Sequence, residues 1–425
     1  MSPHLIAGLT AALLTIGIGA AELRPTSGEP PDSRVPGQQQ PEEPDLLTFA
    51  RGLVFVGQEG LATGSASRAL LATDGDAYRL GLTSDSKLPI EFTYQLPAPT
   101  TFNRFAIPSV EEWPGNVTFV KNVTVSGSNE GPGSGFEVLA EFELETHGAG
   151  ETVTEIMPVA DSPVRWIKIH FDGGINIEAG DEGRTNIRFT ELIGNGVQEA
   201  TGLSATLDGI WDLRQTERMD RRGRPLVLRQ QGTAIQGCYG DYRISGTVNG
   251  LIARATGEDP TGRPVGMILV SDEDGTIHGS ISENRGRFHP RTSFADPALE
   301  APDCLPEETV EPAACGTNAY INFDLNSAVI RPESQAVLAD VLRGLQEEDA
   351  SQVTIVGHTS SEGEEAYNLA LSERRAQAVV DELVALGFPS AAISAAGMGE
   401  SQLLTSPDPS ETARELNRRV EIGCA

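Results

Sequence analysis

The chain has 425 residues, which suggests about two to four domains, and its 39% hydrophobic content is sufficient for packed cores. Its formal net charge of −30 excludes a protein that binds duplex nucleic acid, because such proteins present a basic face to the phosphates. The same charge opposes adhesion to an anionic membrane surface.

The N-terminal region has the pattern of an export signal. An apolar run from Leu5 to Ala21 ends in small residues, which predicts a signal peptide over residues 1–21. The residues before this run include no Lys or Arg, and the run is at the short limit for a spanning helix, so an uncleaved anchor is the alternative. Residues 22–48, rich in Pro and Gln, are expected to form an extended, disordered linker.

Residues 49–199 alternate short β-branched segments with Gly, Pro, Asn and Asp, which predicts an all-β sandwich. The order of its segments resembles the discoidin-type, galactose-binding-like jelly roll. Three of the segments that carry the resemblance are Ala72–Asp76, Val164–Ile169 and Phe189–Gly194. The resemblance implies that a ligand, with a glycan as the expected class, binds on loops at one end of the sandwich.

Three features of this region bear on ligands. Asp74 and Asp76 offer carboxylates to a structural calcium ion, although two carboxylates in one turn more often cap that turn. Trp113 could stack on a sugar or cover a loop. The adjacent Glu111 and Glu112 are not a glycosidase pair, because neighbours in sequence face different ways and hydrolysis needs two opposed carboxyl groups.

Residues 203–294 predict a second β domain, a small all-β barrel or a curled sheet. Short strand patterns are separated by the two-residue turn signals Asn249-Gly250 and Asp274-Gly275. Trp211, near the start of this region, is predicted to plug the core. Residues 295–315 are rich in Pro and Glu and are expected to form a linker.

The last region changes from strand to helix patterns. Val353–His358 is a β-branched run that ends in a polar turn, and a helix pattern with an apolar stripe that includes Leu369 and Val379 begins at Glu364. Asn368 and Arg375 lie seven residues apart, so they point the same way on this helix, next to the polar turn. Because Arg offers a planar fork of donors, this grouping suits a ligand carboxylate.

Four motifs of residues 316–425 resemble the OmpA-like C-terminal domain, a peptidoglycan-binding module of bacterial envelopes. In chain order, they are Tyr320–Ser327, Val353–Val380, Ile393–Glu400 and Asn417–Ile422. The resemblance implies a two-layer α/β sandwich with the element order βαβαββ and its helices on one face of the sheet. It also implies binding of a peptidoglycan peptide stem of the diaminopimelate type.

The resemblance assigns roles to six residues. Thr359 and Ser360 would supply hydroxyl groups to the ligand, Asn368 an amide, and Asp324 and the turn after it backbone groups. Arg375 would clamp the ligand carboxylate, and Arg418 would close the far side of the site. Ser360 stands where the family usually has an Asp that contacts the ligand ammonium. Loss of one charge-assisted hydrogen bond could cost about 1.5–3 kcal/mol. Glu362, two residues later, could supply the missing charge.

The four cysteines are expected to form disulfides in an exported chain. Cys315 and Cys424 flank the OmpA-like domain, so a bridge between them would tie its ends, which leaves Cys238 with Cys304. Three connectivities are open. No CxxC pair exists, so a zinc site is not expected, and we expect no cofactor.

These observations predict a non-catalytic protein of the periplasm or cell envelope, associated with the outer membrane or with peptidoglycan. Its last domain would bind the diaminopimelate-type stem, and its β domains a glycan or an envelope protein. One alternative is an interaction scaffold that has lost stem binding through Ser360. The other is an enzyme of cell-wall turnover, which the sequence opposes because it lacks GxSxG, HExxH and phosphate-loop motifs. The oligomeric state is left open.

Overall fold

The computed structural model describes residues 44–425 apart from residues 61–64, 75–79, 83–88, 109–116, 145–152, 159–161, 176–185, 201, 273, 296–298 and 300–313.

Nine described strands and one helix build the first β domain. The elements of the first β domain are β1 Val54–Glu59, α1 Ser65–Thr73, β2 Leu80–Leu82, β3 Ile90–Pro108, β4 Val117–Ser128, β5 Glu137–Glu143, β6 Val153–Ile156, β7 Val164–Ile175, β8 Asn186–Phe189 and β9 Ile193–Gln198.

Strand β3 organises this domain because its two halves pair with different strands. Its first half pairs antiparallel with β1 and β7, and its second half with β6 and β9. The ladder with β7 is interrupted between Gln95 and Thr100, a stretch that contains Pro97 and Pro99, which cannot donate a ladder hydrogen bond. The domain is mostly β, with the helix α1 as an addition to the predicted all-β sandwich, and its finer jelly-roll topology stays a prediction.

The first β domain begins earlier than the sequence suggested. Leu46 and Leu47, placed in the predicted linker, are buried in its core. The Asp45 side chain accepts hydrogen bonds from the amides of Leu47 (2.9 Å) and Gly194 (2.8 Å), which fixes this entry segment to β9. The predicted signal peptide and most of the predicted linker lie outside the described residues.

The second β domain, here called the barrel, is a closed antiparallel barrel in which each strand pairs with the next and the last pairs with the first. Its strands are β10 Gly209–Gln215, β11 Arg224–Gln231, β12 Ala234–Tyr239, β13 Tyr242–Asn249, β14 Ile252–Glu258, β15 Pro264–Ser271, β16 Ile277–Glu283 and β17 His289–Ala295. Alternate side chains fill its interior. Trp211 is one of them, and its indole Nε1 donates to the carbonyl of Leu207 (3.3 Å), so the predicted core plug is confirmed.

The C-terminal domain has a four-stranded sheet in the order β18-β21-β19-β20, in which β19 and β20 are parallel. Its elements are β18 Thr317–Ala319, α2 Gln335–Glu347, β19 Val353–His358, α3 Glu365–Ala385, β20 Ile393–Gly399, α4 Glu411–Asn417 and β21 Val420–Cys424. Two predictions were wrong. The Tyr320–Ser327 motif resembles the first strand and the following turn of the family, but the first strand, β18, ends before it, at Ala319. The short helix α4 separates the last two strands, so the element order is βαβαβαβ.

The predicted disulfide between Cys315 and Cys424 is present, with 5.4 Å between the two Cα atoms. Cys238 is also disulfide-bonded, and Cys304, its predicted partner, lies outside the described residues. No helix in the described part of the chain has both the length and the apolar character needed to cross a membrane.

All three domains contribute to one buried apolar cluster, here called the junction cluster. It comprises Phe49, Ala50 and Val54 from the first β domain, Ile268 and Val270 from the barrel, and Tyr320 and Leu416 from the C-terminal domain. In β15, the neighbouring Met267 and Leu269 point into the barrel, so the alternation of the strand sends Ile268 and Val270 outward to this cluster. The C-terminal domain is therefore packed against the other two domains.

Candidate functional site

Arg375 on α3 is a largely buried cation, 9% exposed. Its Nε donates to the carbonyl of Ser327 (2.9 Å), and its guanidinium carbon lies 5.0 Å from the ring centroid of Phe323. Burial, together with the nearby Arg418, lowers the pKa of Arg375 to about 10, so it stays protonated at neutral pH. No carboxylate of the described residues forms an ion pair with it, which leaves its terminal nitrogens available to an anion.

Two glycines bring α3 close to the sheet. A Cβ at Gly357 would lie 2.2 Å from the carbonyl oxygen of Ser372, and one at Gly397 would lie 2.5 Å from the amide nitrogen of Glu373. Such distances are far below van der Waals contact, so both positions require glycine. The close approach holds the face of α3 that carries Asn368 and Arg375 against the ends of β19 and β20.

The polar turn after β19 provides two hydroxyl-bearing residues. The amide of Thr359 donates to the carbonyl of Gly399 (2.9 Å), and the Thr359 hydroxyl is buried without a hydrogen-bond partner among the described residues. Ser360 is 5% exposed. A buried hydroxyl without a partner is costly, so this turn fits a ligand that completes the hydrogen bonding of Thr359.

The Asn368 amide ties this turn to the end of β20. Its Nδ2 lies 3.4 Å from the carbonyl of Ser360, 2.9 Å from that of Glu362 and 2.6 Å from Oε2 of Glu400. The Asn368 amide, which was predicted to contact the ligand, therefore donates its hydrogen bonds within the protein and holds the turn in place. The carboxylate of Glu362 lies 3.6 Å from Nη1 of Arg414.

Sequence reasoning missed Asp408, a buried carboxylate behind the turn. It accepts hydrogen bonds from the amide (3.0 Å) and hydroxyl of Ser361 and from Nδ2 of Asn417 (2.8 Å). Asn417 in turn accepts from the amides of Leu404 and Thr405. The sequence carried one signal for this arrangement: Ser410 follows two prolines and caps α4 by accepting from the amide of Ala413 (3.2 Å).

Arg418 is engaged in ion pairs inside the protein. It donates to Glu411 and Glu415, with 2.9 Å between its Nε and Oε2 of Glu415. Burial alone would lower the pKa of Arg418, but these two carboxylates raise it above its ordinary value. The predicted role of Arg418 in closing the far side of the site would therefore require a ligand to compete with two internal carboxylates.

Asp324 begins the turn that reaches Arg375. Its side chain is 59% exposed, its amide donates to the carbonyl of Val329 (3.0 Å), and its carbonyl accepts from the amide of Ser327 (3.1 Å). Since Arg375 donates to the Ser327 carbonyl, the turn at Asp324 is brought next to the guanidinium. Asp324 and Arg375 are thus linked through Ser327, and the predicted grouping of these residues with the Thr359–Ser360 turn stays a prediction.

Of the two calcium candidates, the structure describes Asp74 alone, and Asp74 is engaged elsewhere. Both carboxylate oxygens of Asp74 accept hydrogen bonds from residues of α4, and Asp76, Glu111, Glu112 and Trp113 lie outside the described residues. Within the described ranges, the cluster with metal-ligand spacing is Cys315, Glu348 and Cys424, whose two sulfur atoms form the disulfide. A disulfide has no thiolate to offer a metal.

The last domain is similar to known proteins. Residues 322–418 match the model of the OmpA family, and they form an OmpA-like domain. Outer membrane protein A of Citrobacter freundii is 41% identical over 114 residues, which cover 26% of this chain. The chain spans 47% of the length of that relative.

Two solved structures are each similar to a part of the chain. The peptidoglycan-associated lipoprotein from Burkholderia pseudomallei is 28% identical and is matched over 25% of this chain and 88% of its own, with a TM-score of 0.23. A Clostridium perfringens structure in complex with GalNAc-β-1,3-galactose is 15% identical and is matched over 36% of this chain and 100% of its own, with a TM-score of 0.27. TM-scores of this size do not define the fold of the whole chain.

Proposed function

We propose that this chain is a non-catalytic cell-envelope protein that binds peptidoglycan through the site around Arg375. The observation that carries the proposal is a protonated, largely buried guanidinium that forms no ion pair with any described residue, inside a domain of the OmpA family. A buried arginine without a counter-charge is costly, and a ligand carboxylate would remove that cost through a bidentate ion pair. Thr359 would complete the contact through its unpartnered hydroxyl.

The finer form of the proposal is that the ligand is a diaminopimelate-type peptide stem. Its carboxylate would bind Arg375, while its ammonium would lie near Ser360 and the carboxylate of Glu400, which Asn368 holds at 2.6 Å. The protein would reside in the periplasm, associated with peptidoglycan or with the outer membrane. A glycan or an envelope protein is the proposed partner of the β domains, on the basis of the resemblance of residues 49–199 to discoidin-type domains.

Co-sedimentation of the whole chain with purified diaminopimelate-type sacculi tests the proposal. We expect Arg375→Met to weaken binding by about tenfold to a hundredfold, the loss of about 1.5–3 kcal/mol expected for a charge-assisted contact. Methionine keeps an apolar stem against Phe323. Arg374→Met is the matched control, because Arg374 is the exposed neighbour on the same helix.

Three outcomes would contradict the proposal or a part of it. Equal binding by Arg375→Met and wild type, with unchanged melting temperatures, would remove Arg375 from the site. No binding by the wild type would favour the alternative, an envelope scaffold whose OmpA-like domain has lost stem binding, which Ser360 in place of the usual Asp supports. Release of soluble glycan fragments from sacculi by the purified chain would contradict the non-catalytic part.

A further inference from the structure

Helix α4 of the C-terminal domain receives part of its N-terminal cap from the first β domain. Oδ1 of Asp74 accepts a hydrogen bond from the amide of Glu411 (2.6 Å), and its Oδ2 accepts from the amide (3.3 Å) and the hydroxyl of Thr412. Within the C-terminal domain, the hydroxyl of Ser410 accepts from the amide of Ala413 (3.2 Å). A helix of seven residues is too short to be stable by itself, so α4 depends on these contacts with its first amides.

The other end of α4 carries Asn417, the last residue of the helix, which is 0% exposed. Its Oδ1 accepts from the amides of Leu404 (2.8 Å) and Thr405 (3.0 Å). Its Nδ2 donates to the carbonyl of Thr405 (2.9 Å) and to Oδ2 of Asp408 (2.8 Å). A side-chain amide has two donor hydrogens and two acceptor lone pairs, so Asn417 makes all four of its hydrogen bonds inside the protein. Asn417 therefore fixes the position of Asp408 relative to α4.

Asp408 in turn holds the turn that follows β19. It is 5% exposed and accepts hydrogen bonds from the amide (3.0 Å) and the hydroxyl of Ser361, the residue directly after the Thr359–Ser360 turn. Buried hydrogen-bond networks whose members are satisfied are rigid and specify one arrangement. A series of buried hydrogen bonds and one short helix thus connects Asp74 in the first β domain to this turn in the C-terminal domain.

We propose that Asp74 is a positioning residue for the peptidoglycan site: through α4 and Asp408, it holds Ser361 and thereby the Thr359–Ser360 turn in the geometry that binds the ligand. This inference rests on the proposed function. Helix α4 has seven residues and is about 10 Å long at the usual rise per residue, so a shift at its N-terminus also displaces Asn417 at its other end. The first β domain would then contribute to peptidoglycan affinity without contacting the ligand.

A second set of contacts also holds α4, and it defines the competing explanation. Oε1 of Glu415, within the helix, accepts from Nη2 of Arg254 in the barrel (2.7 Å), and Arg418 forms ion pairs with Glu411 and Glu415. If these contacts alone fix α4, loss of Asp74 will leave the turn after β19 unchanged. The two explanations therefore differ in the order of that turn in the folded protein.

Amide hydrogen exchange of the whole chain measures this order in the absence of a ligand. We expect Asp74→Ala to accelerate exchange of the Ser361 and Thr405 amides roughly fivefold to tenfold, in line with the usual effect of losing a helix cap, because their acceptors move with α4. Amides in the middle of β19, such as that of Ile355, should exchange as in the wild type. We also expect roughly fivefold weaker sedimentation with diaminopimelate-type sacculi, the low end of the usual coupling between two sites.

Asp45→Ala is the matched control. Asp45 is also a carboxylate that accepts from two backbone amides, but both of them, Leu47 and Gly194, belong to the first β domain. Its loss should lower the melting temperature and leave both exchange at Ser361 and sacculus binding unchanged. Asp74→Asn keeps one acceptor oxygen for the cap and should recover most of the binding, since Asn caps helices about as well as Asp.

Three results would overturn the inference: wild-type exchange at Ser361 in a folded Asp74→Ala variant, faster exchange there with unchanged binding, or equal effects of Asp74→Ala and Asp45→Ala. If Asp74→Ala does not fold, Thr412→Val replaces it, because this change removes one hydrogen bond to Asp74 and keeps the backbone of α4. It should accelerate exchange at Ser361 roughly threefold, and unchanged exchange would overturn the inference. Failure of the proposed function is seen separately, as wild-type protein that does not sediment with sacculi.

Discussion

The carboxylate of Asp74 in the first β domain caps helix α4 of the C-terminal domain, with 2.6 Å between its Oδ1 and the amide nitrogen of Glu411. Both carboxylate oxygens also lie 3.3 Å from the amide nitrogen of Thr412. The first amides of a helix have no partner within the helix, so a carboxylate at this point satisfies them and interacts favourably with the helix dipole. The residue that sequence analysis offered as a calcium ligand therefore links two domains.

This contact makes the stability of the protein depend on pH. Burial raises the pKa of Asp74 from 3.8 to about 7, so between those values the folded protein holds a proton that the unfolded chain has released. The stability contributed by this residue therefore falls as pH rises from about 4 to about 7. We expect the unfolding free energy of Asp74→Asn, relative to wild type, to rise by more than about 1 kcal/mol between pH 5 and 8, since one pKa unit is worth about 1.4 kcal/mol.

Urea unfolding of both proteins at several pH values measures this difference. Asp45 also has a raised pKa through burial, but it is present in both chains and cancels in the comparison. Asp74→Ala serves as a second variant. It removes the cap and should cost about 1 kcal/mol at low pH, where wild-type Asp74 is neutral. Parallel stability curves for Asp74→Asn and wild type would show that Asp74 does not titrate in this range.

Ser360→Asp tests whether the ligand brings an ammonium group to the polar turn. The sequence left open whether Glu362 supplies the missing charge, and the carboxylate of Glu362 lies 3.6 Å from Arg414. We therefore expect Ser360→Asp to bind diaminopimelate-type sacculi roughly tenfold more tightly, through one new charge-assisted hydrogen bond. Ser360→Asn has a similar shape without the charge and should bind as the wild type does. Equal sedimentation of the Asp and Asn variants would place the ammonium elsewhere.

Asp408→Ala should weaken the ligand site indirectly, through the turn that Asp408 supports. It would leave the amide and hydroxyl of Ser361 and the Nδ2 of Asn417 without their acceptor in a buried region. An unsatisfied buried polar group costs about 1–3 kcal/mol, so we expect a clearly lower melting temperature and weaker sacculus binding, because the turn that carries Thr359 and Ser360 would loosen. Asp408→Asn retains one acceptor oxygen and should lose less of both. A variant that melts earlier but binds normally would show that this loop does not support the site.

The parts of the fold that were predictable depend on local patterns. Strand β19 covers Val353–His358, the β-branched run seen in the sequence, and helix α3 begins at Glu365, one residue from the predicted start. Val379 is buried as the apolar stripe requires, but Leu369 is 50% exposed. Leu369 lies beside Gly399, the last residue of β20, where α3 passes the end of the sheet. The apolar stripe of α3 therefore extends beyond the sheet surface against which it was expected to pack.

Contacts between domains could not be predicted, because no local pattern encodes them. Arg254 is flanked by Ala253 and Ala255 on an ordinary alternating strand, and only the packing of three domains shows that its charge is buried against Glu415. Helix α4 was missed for a related reason. It has only seven residues, too few for a periodic signal, and its N-terminus is stabilised by Asp74, which lies more than 300 residues away in the sequence.

The disulfide between Cys315 and Cys424 should stabilise the fold without contributing to binding. The bridge closes a loop with a sequence separation of 109, for which the chain-entropy model gives about 4–5 kcal/mol. Cys424 pairs with Val353 at the start of β19, whereas the ligand turn follows His358 at the other end, about 17 Å away at the usual rise of a strand. We expect the double variant Cys315→Ser/Cys424→Ser to unfold at lower urea concentration but, while folded, to bind sacculi as the wild type does.

Wild-type protein treated with a reductant does not make the same comparison, because Cys238 is also disulfide-bonded and would be reduced as well. The double serine variant, kept under oxidising conditions, isolates the bridge at the ends of the C-terminal domain. Sedimentation should be measured at a temperature well below the midpoint of unfolding, so that loss of folded protein does not appear as weak binding. Weaker binding by the fully folded variant would mean that strain or motion at the start of β19 reaches the Thr359–Ser360 turn. That result would contradict this prediction, because the pairing of β19 with both β20 and β21 implies a rigid strand.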